Sequence, residues 1–200
     1  MNKEINIIAS IPYHGDYACD EFIGVDLGCS YLLEKDLPMV FAIGDFDSIS
    51  KVAYAKLEAS NTPITKLNAI KDETDLEAAI DKAKSIGYET FHIYGGIGGR
   101  LDHTLINLNL LKKKDNLIFY DDYSKIVKLE KGKHTIKKDD KYTFYSFFAI
   151  EPCMISLIDF KYPLASYHLI EDDSRCVSNE ILGTQAIVET DKDIIMIASR

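Results

Sequence analysis

Up to Asp122 the chain alternates β-branched runs with segments of helical spacing, and beyond it only strand signals remain. Ile5 to Ile11, Phe22 to Val25, Met39 to Ile43, Ile64 to Leu67, Phe91 to Tyr94 and Leu117 to Tyr120 predict strands. Between them, Tyr31 to Glu34 and Val52 to Leu57 have helical spacing. Thr74-Asp75-Leu76-Glu77 is a capping box with Thr74 as N-cap, ahead of an apolar face of Leu76, Ala79, Ile80 and Ala83 that ends at a Gly87 C-cap. Leu101, Leu105, Leu108 and Leu111 predict a further helix. Strands that alternate with helices imply an α/β domain with a parallel sheet covered on both faces, over residues 1–123.

Residues 124–200 read differently. Lys131-Gly132-Lys133 reads as a turn, and Ile126 to Leu129, Thr135-Ile136, Tyr142 to Ile150, Met154 to Ile158, Gln185 to Glu189 and Ile194 to Ala198 as short strands. This is the profile of a small antiparallel β-sandwich.

The hydrophobic share of 46% is ample for a core. A formal net charge of -9 argues against nonspecific nucleic-acid binding but not against a nucleotide, whose phosphates metal ions neutralise. Cys19, Cys29, Cys153 and Cys176 form no CxxC pair and read as free thiols in a reducing cytosol. The polar start, Met1-Asn2-Lys3-Glu4-Ile5, is unlike a signal peptide, and no apolar run approaches the ~20 residues of a membrane helix. The expectation is a soluble cytoplasmic protein with neither nucleic acid nor membrane as partner.

Acidic clusters sit where the predicted strands end. They are Asp26, Asp45-Phe46-Asp47-Ser48 and Asp72-Glu73-Thr74-Asp75. Ligands of open parallel sheets bind at that edge, and carboxylates gathered there suit hard cations such as Mg²⁺. Taken alone, Asp45 and Asp47 are either a cation pair or an Asx turn capping the helix after Ser48, and Asp72 and Asp75 are either ligands or helix caps. Phe46 reads as an inward-packing side chain, and Lys71 as a solvated lysine. Gly95-Gly96-Ile97-Gly98-Gly99 then packs four of the chain's 11 glycines into five residues. Glycines let backbone N–H groups approach phosphate, and Arg100 beside them is either a phosphate clamp or a salt-bridge partner. Asp102 is placed to ligate metal or orient an attacking hydroxyl. His103 reads as a packed histidine, and Asn107 as a partner of Asp102 or of substrate.

Asp26-Leu27-Gly28, Gly44 to Ser48, Asp72 to Asp75, Gly95 to His103 and Ser178-Asn179-Glu180 together resemble the ordered motifs of thiamine pyrophosphokinases (thiamine diphosphokinases). The resemblance implies a Rossmann-like α/β nucleotide-binding domain followed by a β-sandwich thiamine-binding domain, working as a homodimer with the active site at the interface. It implies transfer of the pyrophosphoryl group of ATP to the hydroxyl of thiamine, with Mg²⁺, giving thiamine diphosphate and AMP. By the same resemblance Asp45, Asp47 and Asp75 hold metal. Asp26, Asp72, Thr74, Gly95, Gly96, Gly98, Gly99 and Arg100 bind the nucleotide. Asp102, Arg100 and Asp47 act at the reacting centre, and Asp102, His103, Asn107, Ser178 and Asn179 contact thiamine. The chain has no tryptophan, so an aromatic wall for thiamine would draw on residues such as its 12 tyrosines.

Overall fold

The computed structural model describes residues 3–68 and 72–200, and Lys71 lies outside them. Two compact units divide the chain. One runs to Leu110 and includes Asn116–Asp122; the other comprises Leu111–Asp115 and Tyr123–Arg200.

The first unit is built from β1 (Glu4–Ile8), β2 (Phe22–Val25), α1 (Gly28–Glu34), β3 (Met39–Gly44), α2 (Lys51–Ala59), β4 (Ile64–Lys66), α3 (Asp75–Ser85), β5 (Thr90–Tyr94), α4 (Leu101–Lys113) as far as Leu110, and β6 (Leu117–Tyr120). Its strands lie in the order β4-β3-β2-β1-β5-β6, each parallel to its neighbour. Near-continuous apolar runs fit this placement, because a sheet covered on both faces buries every residue of its central strands. Accordingly Ile5, Ile7, Ile23, Ala42 and Ile93 are buried. The sheet grows outward from β1 in both directions, with β2 on one side and β5 on the other. That reversal opens a crevice at the carboxyl edge.

β1 ends at Ile8 rather than Ile11, because the chain bends out of the ladder there; the Ala9 N–H still donates to the Tyr94 carbonyl at 2.8 Å and the Ile11 N–H to Gly95 at 3.2 Å. α1 begins at Gly28, ahead of Tyr31. A Cβ on Gly28 would fall 2.0 Å from the Ile8 carbonyl oxygen, so only glycine lets the helix start this close to β1. α3 follows the expected capping: Thr74 Oγ1 accepts the Glu77 N–H at 3.2 Å, with Asp75 and Glu77 in the first turn and Lys82 and Lys84 in the last. The helix is closed at Ile86, and Gly87 comes one residue later, in left-handed backbone at φ 96°. α4 departs from its leucine stripe. Leu101 is 80% exposed and Leu105 64%, while Asn107, Leu110 and Leu111 are buried. Ties from Thr104 and Asn107 to the preceding loop set the phase of this helix.

The second unit holds β7 (Ser124–Leu129), β8 (Gly132–Lys137), β9 (Phe144–Ala149), β10 (Cys153–Ile158), β11 (Leu164–Leu169), β12 (Gln185–Thr190) and β13 (Ile194–Ser199). They form two antiparallel layers, β7-β13-β9 and β11-β10-β12-β8. Phe147, Ile194 and Met196 from one layer and Ile155, Leu157 and Val188 from the other share a buried cluster, as a sandwich requires. Gly132 opens β8 instead of occupying a turn. β11 was not foreseen from sequence. Ser166 adopts φ 46° and the register with β10 slips between Ile155 and Leu157, so its residues lack the two-residue alternation that marks a strand. Among the described residues no helix is long and apolar enough to cross a membrane.

Candidate active site

Four strand ends and two helix starts of the first unit wall a cleft of about 490 Å³. Ala9, Ser10 and Ile11 come from the end of β1, Asp26 and Leu27 from β2, and Asp45, Asp47 and Ser48 from β3. Thr74, Asp75 and Leu76 come from the start of α3. Gly95, Gly96, Gly98 and Arg100 follow β5, and His103 and Asn107 belong to α4. Carboxylates distant in sequence thus meet in one volume with the glycine loop and its arginine.

The acidic wall is built by backbone that few residues tolerate. Asp26 is left-handed at φ 45°, Gly44 sits at φ 152° and Phe46 at φ 61°. Asp26 Oδ1 accepts the Phe46 N–H at 3.2 Å, which ties the end of β2 to the loop after β3. A Cβ on Gly44 would lie 1.8 Å from that same Oδ1. Phe46 turns inward against Tyr54, with ring centroids 5.5 Å apart, leaving the flanking Asp45 and Asp47 on the cleft. Asp45 Oδ1 accepts the Asp47 N–H at 3.1 Å, an Asx turn, but the cap of α2 is Ser50, whose Oγ accepts the Ala53 N–H at 3.1 Å. Burial, then the neighbouring Asp75 carboxylate, push the Asp26 carboxyl from its ordinary 3.8 up to about 7.

The opposite wall is the glycine loop. Gly95, Gly98 and Gly99 have φ of 69°, 91° and 59°. A Cβ on Gly95 would stand 2.1 Å from the Ile11 carbonyl oxygen, so the loop presses directly on the segment leaving β1. The Asn107 amide, buried, donates to the Gly96 carbonyl at 2.6 Å, not to Asp102. Arg100 grips Asp102 in a forked pair, Nε to Oδ1 at 3.2 Å and Nη2 to Oδ2 at 2.6 Å. This pair is exposed, and the guanidinium holds the Asp102 carboxyl down to about 2. Asp102 so paired is a weak proton acceptor. His103 is exposed on the cleft rather than packed, and its N–H donates to Asp102 Oδ1 at 3.0 Å.

Some expected residues stand apart. Asp72 is exposed and is not a lining residue of the cleft. Ser178 and Asn179 belong to the second unit. Asn179 is 2% exposed, and its side chain accepts the N–H groups of Tyr162 and Glu180 while donating to the Tyr162 carbonyl at 2.8 Å. The Ser178 N–H donates to Ser146 Oγ at 2.9 Å with Ser178 itself at φ 57°. Both residues shape a tight loop. Sequence reasoning missed Thr104 and the Ala9–Ile11 segment. Thr104 carried a signal in its place one turn after Arg100, where its hydroxyl reaches back over the loop. Ala9 to Ile11 lay hidden inside a run read wholly as strand.

Comparison with known proteins agrees along the whole chain. The thiamin pyrophosphokinase catalytic domain matches residues 17–120, and the thiamin pyrophosphokinase vitamin B1 binding domain matches residues 133–195. A thiamine pyrophosphokinase of Bacillus subtilis (strain 168) is 33% identical over 207 residues, covering 97% of each protein. Among solved structures, a thiamin pyrophosphokinase family protein from Enterococcus faecalis superposes with a TM-score of 0.91 at 26% identity, over 99% of both chains. The Bacillus subtilis thiamine pyrophosphokinase structure does so with 0.89 at 31% identity, over 98% of this chain and 99% of that one. With both domains matched in order and a relative this similar end to end, the chain belongs to the thiamin pyrophosphokinase family.

Proposed function

We propose that the protein transfers the pyrophosphoryl group of ATP to the hydroxyl of thiamine, giving thiamine diphosphate and AMP. The observation that carries this reading is the single cleft in which Asp26, Asp45, Asp47 and Asp75 face Arg100 and the glycine loop. The thiamine oxygen forms a bond to the β-phosphorus, the bond from that phosphorus to the bridging oxygen of AMP breaks, and the hydroxyl proton is released. Such transfers depend mainly on positioning and charge stabilisation. Arg100 swings from Asp102 to the phosphates, trading one charge-assisted fork for another. The loop from Gly95 to Arg100 lines the polyphosphate through backbone N–H groups other than that of Gly98, which donates to Thr104, with Asp72 and Thr74 at the nucleotide's rim.

Mg²⁺ fits the donor set by its chemistry. The Asp26 carboxyl is raised first by burial and then by the Asp75 carboxylate beside it, so acidic groups do approach one another here, although among the described residues no three His, Cys, Asp or Glu side chains gather closely enough to hold a metal. Mg²⁺ is commonly bound by one or two carboxylates plus substrate phosphates and waters, so a preassembled cage is not needed. Asp45, Asp47 and Asp75 are the residues that would hold it, and when bound it would neutralise charge moving onto AMP. Thiamine would lie between Asp102, His103 and the Ser178-Asn179 loop of a partner subunit, in a homodimer. The free thiols accord with a cytoplasmic setting.

The test is incubation of the protein with ATP, Mg²⁺ and thiamine, followed by mass spectrometry. Thiamine diphosphate and AMP in equal amounts are the expected products. ADP, or free phosphate independent of thiamine, would replace this reading with a hydrolase.

A further inference from the structure

We infer that Thr104 is a positioning residue for the pyrophosphoryl transfer, acting through the glycine loop without touching the substrate; this rests on the reading just given. Its Oγ1 accepts the Gly98 N–H at 3.0 Å, and lies 3.0 Å from the Gly98 carbonyl and 3.2 Å from the Arg100 carbonyl, to which its one proton is offered. Gly98 is therefore engaged through both its N–H and its carbonyl, and the same proton can turn instead to the Arg100 carbonyl, which also accepts the Thr104 backbone N–H at 3.0 Å. Asn107, further along α4, ties Gly96 through a single hydrogen bond.

The loop needs such a tether. Gly95, Gly98 and Gly99 occupy left-handed backbone, which glycine enters freely and leaves as freely. Four glycines in five residues have a large conformational entropy to lose, and a ligand that must order them binds less tightly. The threonine hydroxyl removes that freedom before the nucleotide arrives. It also spends the Gly98 N–H, so the donors left for phosphate belong to the rest of the loop, and Gly98 serves as the pivot that aims them. Because Thr104 is only half-buried and its partners are near solvent, water replaces these hydrogen bonds when the hydroxyl is lost. Stability is spared while loop geometry is not, which separates positioning from scaffolding.

Thr104→Val keeps the shape and removes the hydroxyl, and Thr104→Ser keeps the hydroxyl. In the full chain, Thr104→Val is expected to melt like the native protein, to show faster hydrogen exchange at the amides of Gly98 to Arg100, and to raise the KM for ATP or lower kcat by ~10-fold. The KM for thiamine is expected to stay unchanged, and Thr104→Ser to stay within about twofold of native on every measure. Native exchange in Thr104→Val, equal losses in both variants, or a rise confined to the thiamine KM would each overturn the inference. Hydrogen exchange and ATP binding by calorimetry need no turnover. If the native protein made no thiamine diphosphate, they would still decide the role of Thr104 while the reaction assignment fell.

Discussion

Asp26 is the residue in which the cleft's electrostatics are most concentrated. Its carboxyl titrates near 7 in the folded chain and near 3.8 unfolded, so the folded state retains a proton that the unfolded state has released. Stability contributed this way is complete below about pH 4 and drains away as pH climbs to about 7. Asp26→Asn cannot ionise. In EDTA, the melting temperature of this variant relative to native is therefore expected to rise from pH 5 to pH 8, as followed by circular dichroism. A constant difference would show that Asp26 is an ordinary carboxylate. Asp47 makes the complementary case. It is exposed beside Ser48, whose hydroxyl donates to it at 2.8 Å, and carries no packing. Asp47→Asn is expected to lower turnover by at least ~10²-fold, the scale of losing one key electrostatic group, with an unchanged melting curve. Full Mg²⁺-dependent activity in that variant would remove Asp47 from the site.

At the scale of elements, the loops after β2, β3 and β5 carry the strain. Gly44→Ala forces a side chain into a φ of 152° and into the space held by Asp26 Oδ1. The backbone alone is expected to cost roughly 1–3 kcal/mol, read by urea denaturation. The second substitution, Asp26→Ala, removes the obstructing atoms, so Gly44→Ala in that background is expected to cost less than in the native chain. Additive losses would mean the contact is not what fixes Gly44. These loops also explain what was legible beforehand. Most strands and helices of the first unit declare themselves through periodicity and caps, as Thr74 and the Leu76–Ala83 face of α3 do. The acidic clusters and glycine loop are visible because they interrupt those periods. Ties set by side-chain direction were not visible: Asn107 reaching Gly96 and Asn179 turned toward Tyr162 depend on which way each side chain faces, and which of Arg100's two readings holds here depends on its turning to Asp102. The exposed face of α4 misled for the same reason, since spacing gives a stripe but not what lies against it. β11 escaped because a bulge erased its alternation.

For the molecule as a whole, a net charge of -9 and an acidic cleft lead to an expectation that follows from the proposed reaction: a metal-bound nucleotide should bind better than a free one. Mass action then links binding to unfolding. ATP with Mg²⁺ at about 100 times its dissociation constant is expected to add ~2.7 kcal/mol to stability, seen as a higher melting temperature. EDTA is expected to abolish that rise; a shift that survives EDTA would mean the nucleotide is held without metal. The cleft draws on chain segments from Ala9 through Asn107, and its acidic wall gathers residues that follow β2 and β3 and that start α3. A growing or truncated polypeptide therefore lacks the complete pocket until α4 has emerged. On the proposed reading, retention on an immobilised nucleotide would thus report that synthesis had passed that point and that the sheet had closed in register.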